Sequence, residues 1–130
     1  MRSNYPVINV YSKNNTRSKI NTQLLCGDNF TKIKKVGKWL KIKIDEDNYN
    51  GYIKNRNFPS SQKNTHKIAN LYSNLYSKPN PKYKIKKKLS FGSKIKVVKK
   101  EEKFFKFENY WVKKNDLVKI KFKKKSPFNY

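Results

Sequence analysis

This sequence predicts an all-β chain of two small tandem barrels, and three observations carry that prediction. Apolar and polar residues alternate with period two in short runs, as half-buried strands require. Glycine and proline fall between those runs, where a chain turns. The whole pattern then occurs a second time further along the 130 residues. No segment carries a helical period, and several short strands with closely spaced turns suit a closed or nearly closed barrel.

The first copy opens with Val10-Tyr11-Ser12-Lys13 and continues through Leu24-Leu25-Cys26-Gly27. Phe30 to Val36 and Leu40 to Ile44 then alternate apolar and polar, with Gly37 between them, and Gly51-Tyr52-Ile53-Lys54 closes the unit. An offset of 65 carries Tyr11 onto Tyr76, Leu24 onto Leu89, Gly27 onto Gly92, and Trp39-Leu40 onto Phe104-Phe105. The offset then falls to 59, so that Gly51-Tyr52-Ile53-Lys54 meets Tyr110-Trp111-Val112-Lys113. The second copy lacks six residues, matching the polar stretch Asp45 to Asn50 of the first. One offset held over so many apolar positions is the mark of duplication. Ile95 to Val98 and Phe105 to Phe107 are expected to be strands, while Lys78-Pro79-Asn80-Pro81 belongs in a loop, since proline cannot donate to a ladder.

The expected organisation is a first barrel over 1–58, a linker over 59–66, a second barrel over 67–121 and a tail over 122–130 that begins a connection to a further domain. Trp39 and Trp111 are read as barrel core, and the lysines alternating along the strands as the outward faces.

The net charge is +25, from 33 Lys and Arg against 8 Asp and Glu. That is the electrostatic footprint of a protein meeting an anionic polymer or surface. Arginine occurs only at Arg2, Arg17 and Arg56, however, and a chain rich in Lys, Asn and Ile also reflects AT-rich codons. Dedicated nucleic-acid readers favour the planar fork of arginine. With one cysteine, Cys26, no internal disulfide forms, and one cysteine with one histidine falls short of a four-ligand zinc site. Met1 to Lys13 holds no apolar run of the signal-peptide kind, and no stretch approaches a membrane span, so a cytoplasmic location is expected. A nucleophile needs a base within hydrogen-bond reach. Cys26 sits in a strand-edge setting with no base beside it, and His66 reads as a solvated linker residue. No enzyme is expected from this chain alone, and no cofactor.

The residues of the first copy resemble the first bacterial SH3 domain that precedes the catalytic domain of NlpC/P60 cysteine peptidases of the dipeptidyl-peptidase VI type, the γ-D-glutamyl-L-diamino acid endopeptidases. The resemblance runs through Val10-Tyr11-Ser12, Thr22-Gln23-Leu24-Leu25 with Gly27, Gly37-Lys38-Trp39-Leu40-Lys41-Ile42, and Asp47-Asn48-Tyr49-Asn50-Gly51-Tyr52-Ile53. The second copy resembles the second such domain through Leu89-Ser90-Phe91-Gly92 and Asn109-Tyr110-Trp111-Val112. What the resemblance implies is a pair of SH3-like barrels that do no chemistry, the first closing one end of a peptidase cleft against a peptide with a free N-terminus. It also implies a binding role for Tyr49, with Asp47, Tyr52 and Gln23 beside it. Where the family pattern implies an acid, this chain carries Lys19, a cation that repels a substrate ammonium group.

The expected partner is therefore a peptidoglycan-derived peptide or an NlpC/P60 catalytic domain. The charge keeps a second class open, in which lysines grip the phosphates of nucleic acid, or another anionic polymer or surface, and tyrosine or phenylalanine stacks on bases.

Overall fold

The period-two run Trp39–Ile44 forms a strand with one buried side, because Leu40, Ile42 and Ile44 turn inward while Lys41 and Lys43 face outward. The computed structural model describes residues 1–121, and the tail read as a connection, 122–130, lies outside the described residues. Five antiparallel strands form the first barrel: β1 (Val7–Tyr11), β2 (Ile20–Leu25), β3 (Phe30–Val36), β4 (Trp39–Ile44) and β5 (Asn50–Lys54). Their order in the sheet is β2-β1-β5-β4-β3. The inward residues Ile8, Val10, Leu24, Phe30, Leu40, Ile42, Ile44 and Ile53 make one buried cluster.

The second half holds β6 (His66–Ile68), β7 (Tyr72–Tyr76), β8 (Lys84–Ser90), β9 (Lys94–Ile95), β10 (Lys99–Lys100), β11 (Phe104–Phe107), β12 (Tyr110–Lys113) and β13 (Leu117–Lys119). Its larger sheet runs β8-β7-β12-β11-β10, which repeats the first sheet strand for strand, and a three-stranded sheet β13-β6-β9 lies beside it. Ile68, Leu75, Leu89, Ile95, Phe105, Phe107 and Val112 form the second core. The chain is thus all-β, built as SH3-like barrels.

Backbone hydrogen bonds repeat at the same offset and extend the correspondence to the first residues of the chain. The Gly27 N–H donates to the Ser3 carbonyl, and the Gly92 N–H to that of Ile68. The Ser3 N–H donates to Asp28, and the Ile68 N–H to Ser93. The bridge between Arg2 and Asn29 matches the pair Lys67 and Lys94 of β6 and β9.

The copies differ in two places. The run Ile95 to Val98, expected as one strand like β3, is broken: β9 ends at Ile95 and the ladder resumes at Lys99. Thr65 is the cause, because its N–H bonds Ile95 O while its Oγ1 accepts the Val97 N–H, drawing this segment toward β6. The missing six residues shorten the β11–β12 connection to a two-residue turn, in which Glu108 takes φ 49°. The proline segment lies between β7 and β8 as expected, with Asn80 Oδ1 capping a 3-10 turn at Pro81–Tyr83.

The barrels meet where the turn after β2 faces Lys94. The Lys94 N–H donates to Cys26 O at 2.8 Å, and Asn64 Nδ2 donates to Gly27 O at 2.9 Å. Lys94 Nζ reaches Asp28 at 2.9 Å and Glu46 at 2.6 Å. Burial opposes the charge on Lys94 and is the largest single influence on it. The hydrogen bonds to Glu46 and Asp28, with their charges, outweigh that burial and raise its pKa overall. On another side, Arg2 pairs with Glu108 at 3.0 Å. The residues read as a linker run along the first barrel, with Pro59 O accepting the Arg2 N–H and Asn29 exchanging two hydrogen bonds with Gln62.

Candidate functional site

The side of each sheet that faces away from its core is where binding residues can stand. In the first barrel β1 sends Ile8 and Val10 inward, which turns Asn9 and Tyr11 outward. Tyr52 on β5 stands opposite Tyr11 and, on its other flank, opposite Lys41 of β4. Trp39 meets Tyr11 edge to face at 5.6 Å, giving a trio of Tyr11, Trp39 and Tyr52 on one outer face. Gln23 extends this face, since its Nε2 donates to Asn9 Oδ1 at 2.9 Å. Lys19 lies just before β2, where its carbonyl accepts the Ser12 N–H at the end of β1. Tyr52, Gln23 and Lys19 therefore gather around one strand.

Asp47 and Tyr49 lie apart from them, in the β4–β5 turn. Asn48 takes φ 59° there, Asp47 Oδ1 accepts the Tyr49 N–H at 3.0 Å, and Tyr49 O accepts the Ile44 N–H at 2.8 Å. The backbone is thus fixed while the Tyr49 ring stands 43% exposed at the rim of the barrel. The acidic run beside it is already engaged: Asp45 accepts Thr31 Oγ1 at 2.7 Å, and Glu46 is paired with Lys94. An amine at this end of the barrel thus comes first from the chain itself. Asp28, Asp45, Glu46, Asn64 and Lys94 line a cleft of about 350 Å³ at the junction, which the sequence did not reveal because its members come from both barrels.

The outer face of the second barrel repeats the aromatic trio. Trp111 stands opposite Tyr76 and Lys106, as Tyr52 does opposite Tyr11 and Lys41. Tyr76 and Phe104 meet edge to face at 5.1 Å, the counterpart of Tyr11 and Trp39. Trp111 is buried as expected, whereas the expectation that Trp39 belongs to the barrel core is corrected here. Trp39 is half-buried on the outer face, and Trp111 is buried with Tyr76 and Phe104 in a second apolar cluster of the second barrel. Parity explains it, because Leu40 and Val112 take the inward positions next to them.

Cys26 and His66 line different cavities and do not form a nucleophile and base pair. Burial first, with the charges of Glu108 and Asp28 adding to it, pushes the Cys26 thiol up to about 11, so it stays protonated at neutral pH. It packs against the second core. His66 is not the solvated linker residue that the sequence suggested. It begins β6, is buried, meets Phe105 edge to face at 5.6 Å, and shares a hydrogen bond with Thr65 Oγ1 at 2.8 Å. Burial, with the nearby charges of Lys100 and Lys119, lowers its pKa from the ordinary 6.5.

A pH dependence follows. The folded chain resists protonating His66, so its contribution to stability is complete above about pH 6.5 and is lost as the pH falls through the lowered folded value. Urea midpoints at pH 7.5 and 5.5 should differ more for the native chain than for His66→Phe. An equal difference in both would contradict this assignment. Among the described residues no cluster of His, Cys, Asp and Glu is able to hold a metal ion, and no helix is long and apolar enough to cross a membrane.

Comparison with known proteins places this geometry. Residues 10–57 match the family model described as the bacterial dipeptidyl-peptidase Sh3 domain. Among solved structures, an NlpC/P60 family protein from Bacillus cereus ATCC 10987 shares the fold with a TM-score of 0.69 at 14% identity. The similarity covers 88% of this chain and 54% of that one, so the chain spans about half the length of the protein it matches. No curated protein matches the chain.

Proposed function

Because the first barrel belongs to the bacterial SH3 domains of the dipeptidyl-peptidase kind, non-catalytic units associated with NlpC/P60 peptidases, we propose that this chain recognises a peptidoglycan-derived peptide, alone or at the cleft of an NlpC/P60 catalytic domain. The observation that carries the reading is the exposed Tyr49 ring, held on a turn whose backbone is fixed on both sides and lying within the matched residues. A rigid amphipathic ring on a fixed turn is the kind of anchor that gives contact area at low entropic cost. Tyr52, Gln23 and Tyr11 extend the surface along the barrel. Lys19 disfavours a ligand ammonium at their end and favours placing a ligand carboxylate there.

Calorimetric titration of the whole chain with the tripeptide L-Ala-γ-D-Glu-diaminopimelate tests this. Binding is expected, and Tyr49→Ala should weaken it at least tenfold, about 1.4 kcal/mol, with an unchanged melting temperature because the ring is exposed. Equal binding by Tyr49→Ala would remove the turn from the site, and no binding by the native chain would count against peptide recognition itself.

A further inference from the structure

Lysine faces lysine across the strands at the same place in both barrels. Lys34 of β3 stands opposite Lys41 of β4, and Lys99 of β10 stands opposite Lys106 of β11. The two pairs are related by the same offset that relates the barrels. Directly opposed residues in an antiparallel pair bring their Cβ atoms to about 4.5–5.5 Å, where like charges destabilise the sheet. Each pair also adjoins the aromatic trio: Lys41 stands opposite Tyr52, and Lys106 stands opposite Trp111 with its Nζ 5.9 Å from the ring centroid. Among the described residues, the carboxylate that pairs with any of these four lysines is Glu101, 3.8 Å from Lys99 with both groups exposed, a geometry that offsets little of the repulsion. The five strands of the larger sheet in the second barrel carry eight lysines and no aspartate or glutamate, so that sheet has charge of one sign.

We propose that the two lysine pairs are equivalent anion sites, which hold phosphates along one phosphodiester-linked polyol chain of the cell-wall type. A phosphate between two opposed ammonium groups turns their repulsion into attraction, and two such sites on one chain suit a ligand whose charge recurs along its length. Nucleic acid has the same charge but is fitted less well. Binding single strands uses open ring faces for stacking. Here Tyr76, Phe104 and Trp111 are only 3%, 5% and 7% exposed. The more open Tyr72 has the Lys88 ammonium 4.6 Å from its ring centroid. At the second pair the adjoining rings are closed to stacking, and lysines there recognise the charge of a polymer rather than its bases. The assignment does not depend on peptide binding at Tyr49.

The test measures binding of the whole chain to poly(glycerol phosphate) and to oligo(dT) of equal phosphate number, across about 50–200 mM salt. Poly(glycerol phosphate) should bind more tightly. K34Q/K41Q and K99Q/K106Q should each weaken it about tenfold, and the quadruple variant about a hundredfold or more. Oligo(dT) binding as tightly or tighter would overturn the choice of ligand, and a quadruple variant that binds like the native chain would overturn the sites. Lys106→Glu adds a measurement without ligand. Placing a carboxylate opposite Lys99 should raise the melting temperature of the free protein by about 1–4 °C while weakening the polymer. An unchanged or lower melting temperature would show that the pair is not repulsive and would overturn the proposal.

Discussion

Gly27→Ala should lower the stability of the chain by about 3 kcal/mol or more, a fall in melting temperature on the order of 10 °C. Two effects combine at this position. Gly27 takes φ +89°, a conformation costing an L side chain about 1–3 kcal/mol. Its Cβ would also fall within 1.9 Å of the Lys94 carbonyl oxygen, which is backbone of the other barrel and cannot rotate away. Relief requires the barrels to part, with loss of the Lys94 N–H bond to Cys26 and the Asn64 bond to Gly27. Barrels of this size bury little surface alone and are marginally stable, so parting them should show as a broader, less cooperative transition. Gly37→Ala is the control: its φ is +60° but nothing lies within 4 Å, and about 1 kcal/mol is expected. Thermal unfolding by circular dichroism compares the two, and equal losses would show that the junction is not close-packed at Gly27.

Gly51→Ala should cost about 1–3 kcal/mol through overpacking of the first core. This glycine has no unusual φ, but an added Cβ would lie 2.4 Å from Val10 Cγ1 and 3.0 Å from the Tyr11 carbonyl oxygen. β5 crosses β1 closely here, and the glycine is what lets Tyr52 settle opposite Tyr11. The loss should be localised. Amide exchange should quicken in β1, β4 and β5 while the second barrel keeps its protection. If Val10→Ala restores stability in the Gly51→Ala background, the contact is the cause. If the double variant is additive, the cause lies elsewhere.

Much of this fold was legible because period-two alternation and a fixed offset are properties of side-chain order. Val10 and Leu75, or Leu40 and Phe105, mark corresponding inward positions in the two barrels. The same parity would have placed Tyr11, Trp39, Tyr76 and Phe104 on the outer faces. Aromatic bulk suggested core for the two tryptophans; Trp39 stands half-buried on the outer face, while Trp111 is buried with Tyr76 and Phe104. The match of Arg2 and Asn29 to Lys67 and Lys94 was not legible, since it lives in backbone pairing between residues of unlike type. His66 was misplaced because its neighbours from Pro59 to Thr65 are polar. Their polarity serves hydrogen bonds along the barrels rather than solvation of a free linker.

Of the candidate binding residues, Tyr52 and Gln23 share the outer face around β1 with Lys19 near its end, while Asp47 and Tyr49 form the turn at the rim. The engagement of Glu46 and Asp28 by Lys94 spans 48 and 66 residues and leaves no local trace in the sequence. The opposed lysine pairs were visible only as outward lysines until register set Lys34 against Lys41 and Lys99 against Lys106.

Backbone amide shifts of the labelled chain, followed by NMR during titration with L-Ala-γ-D-Glu-diaminopimelate, test the central claim most directly. Saturable shifts should gather in the β4–β5 turn around Asp47 and Tyr49, and continue to Tyr52, Tyr11 and Gln23 on the same barrel. An absence of shifts at millimolar peptide, or shifts confined to the lysine-bearing strands of the second barrel, would contradict it.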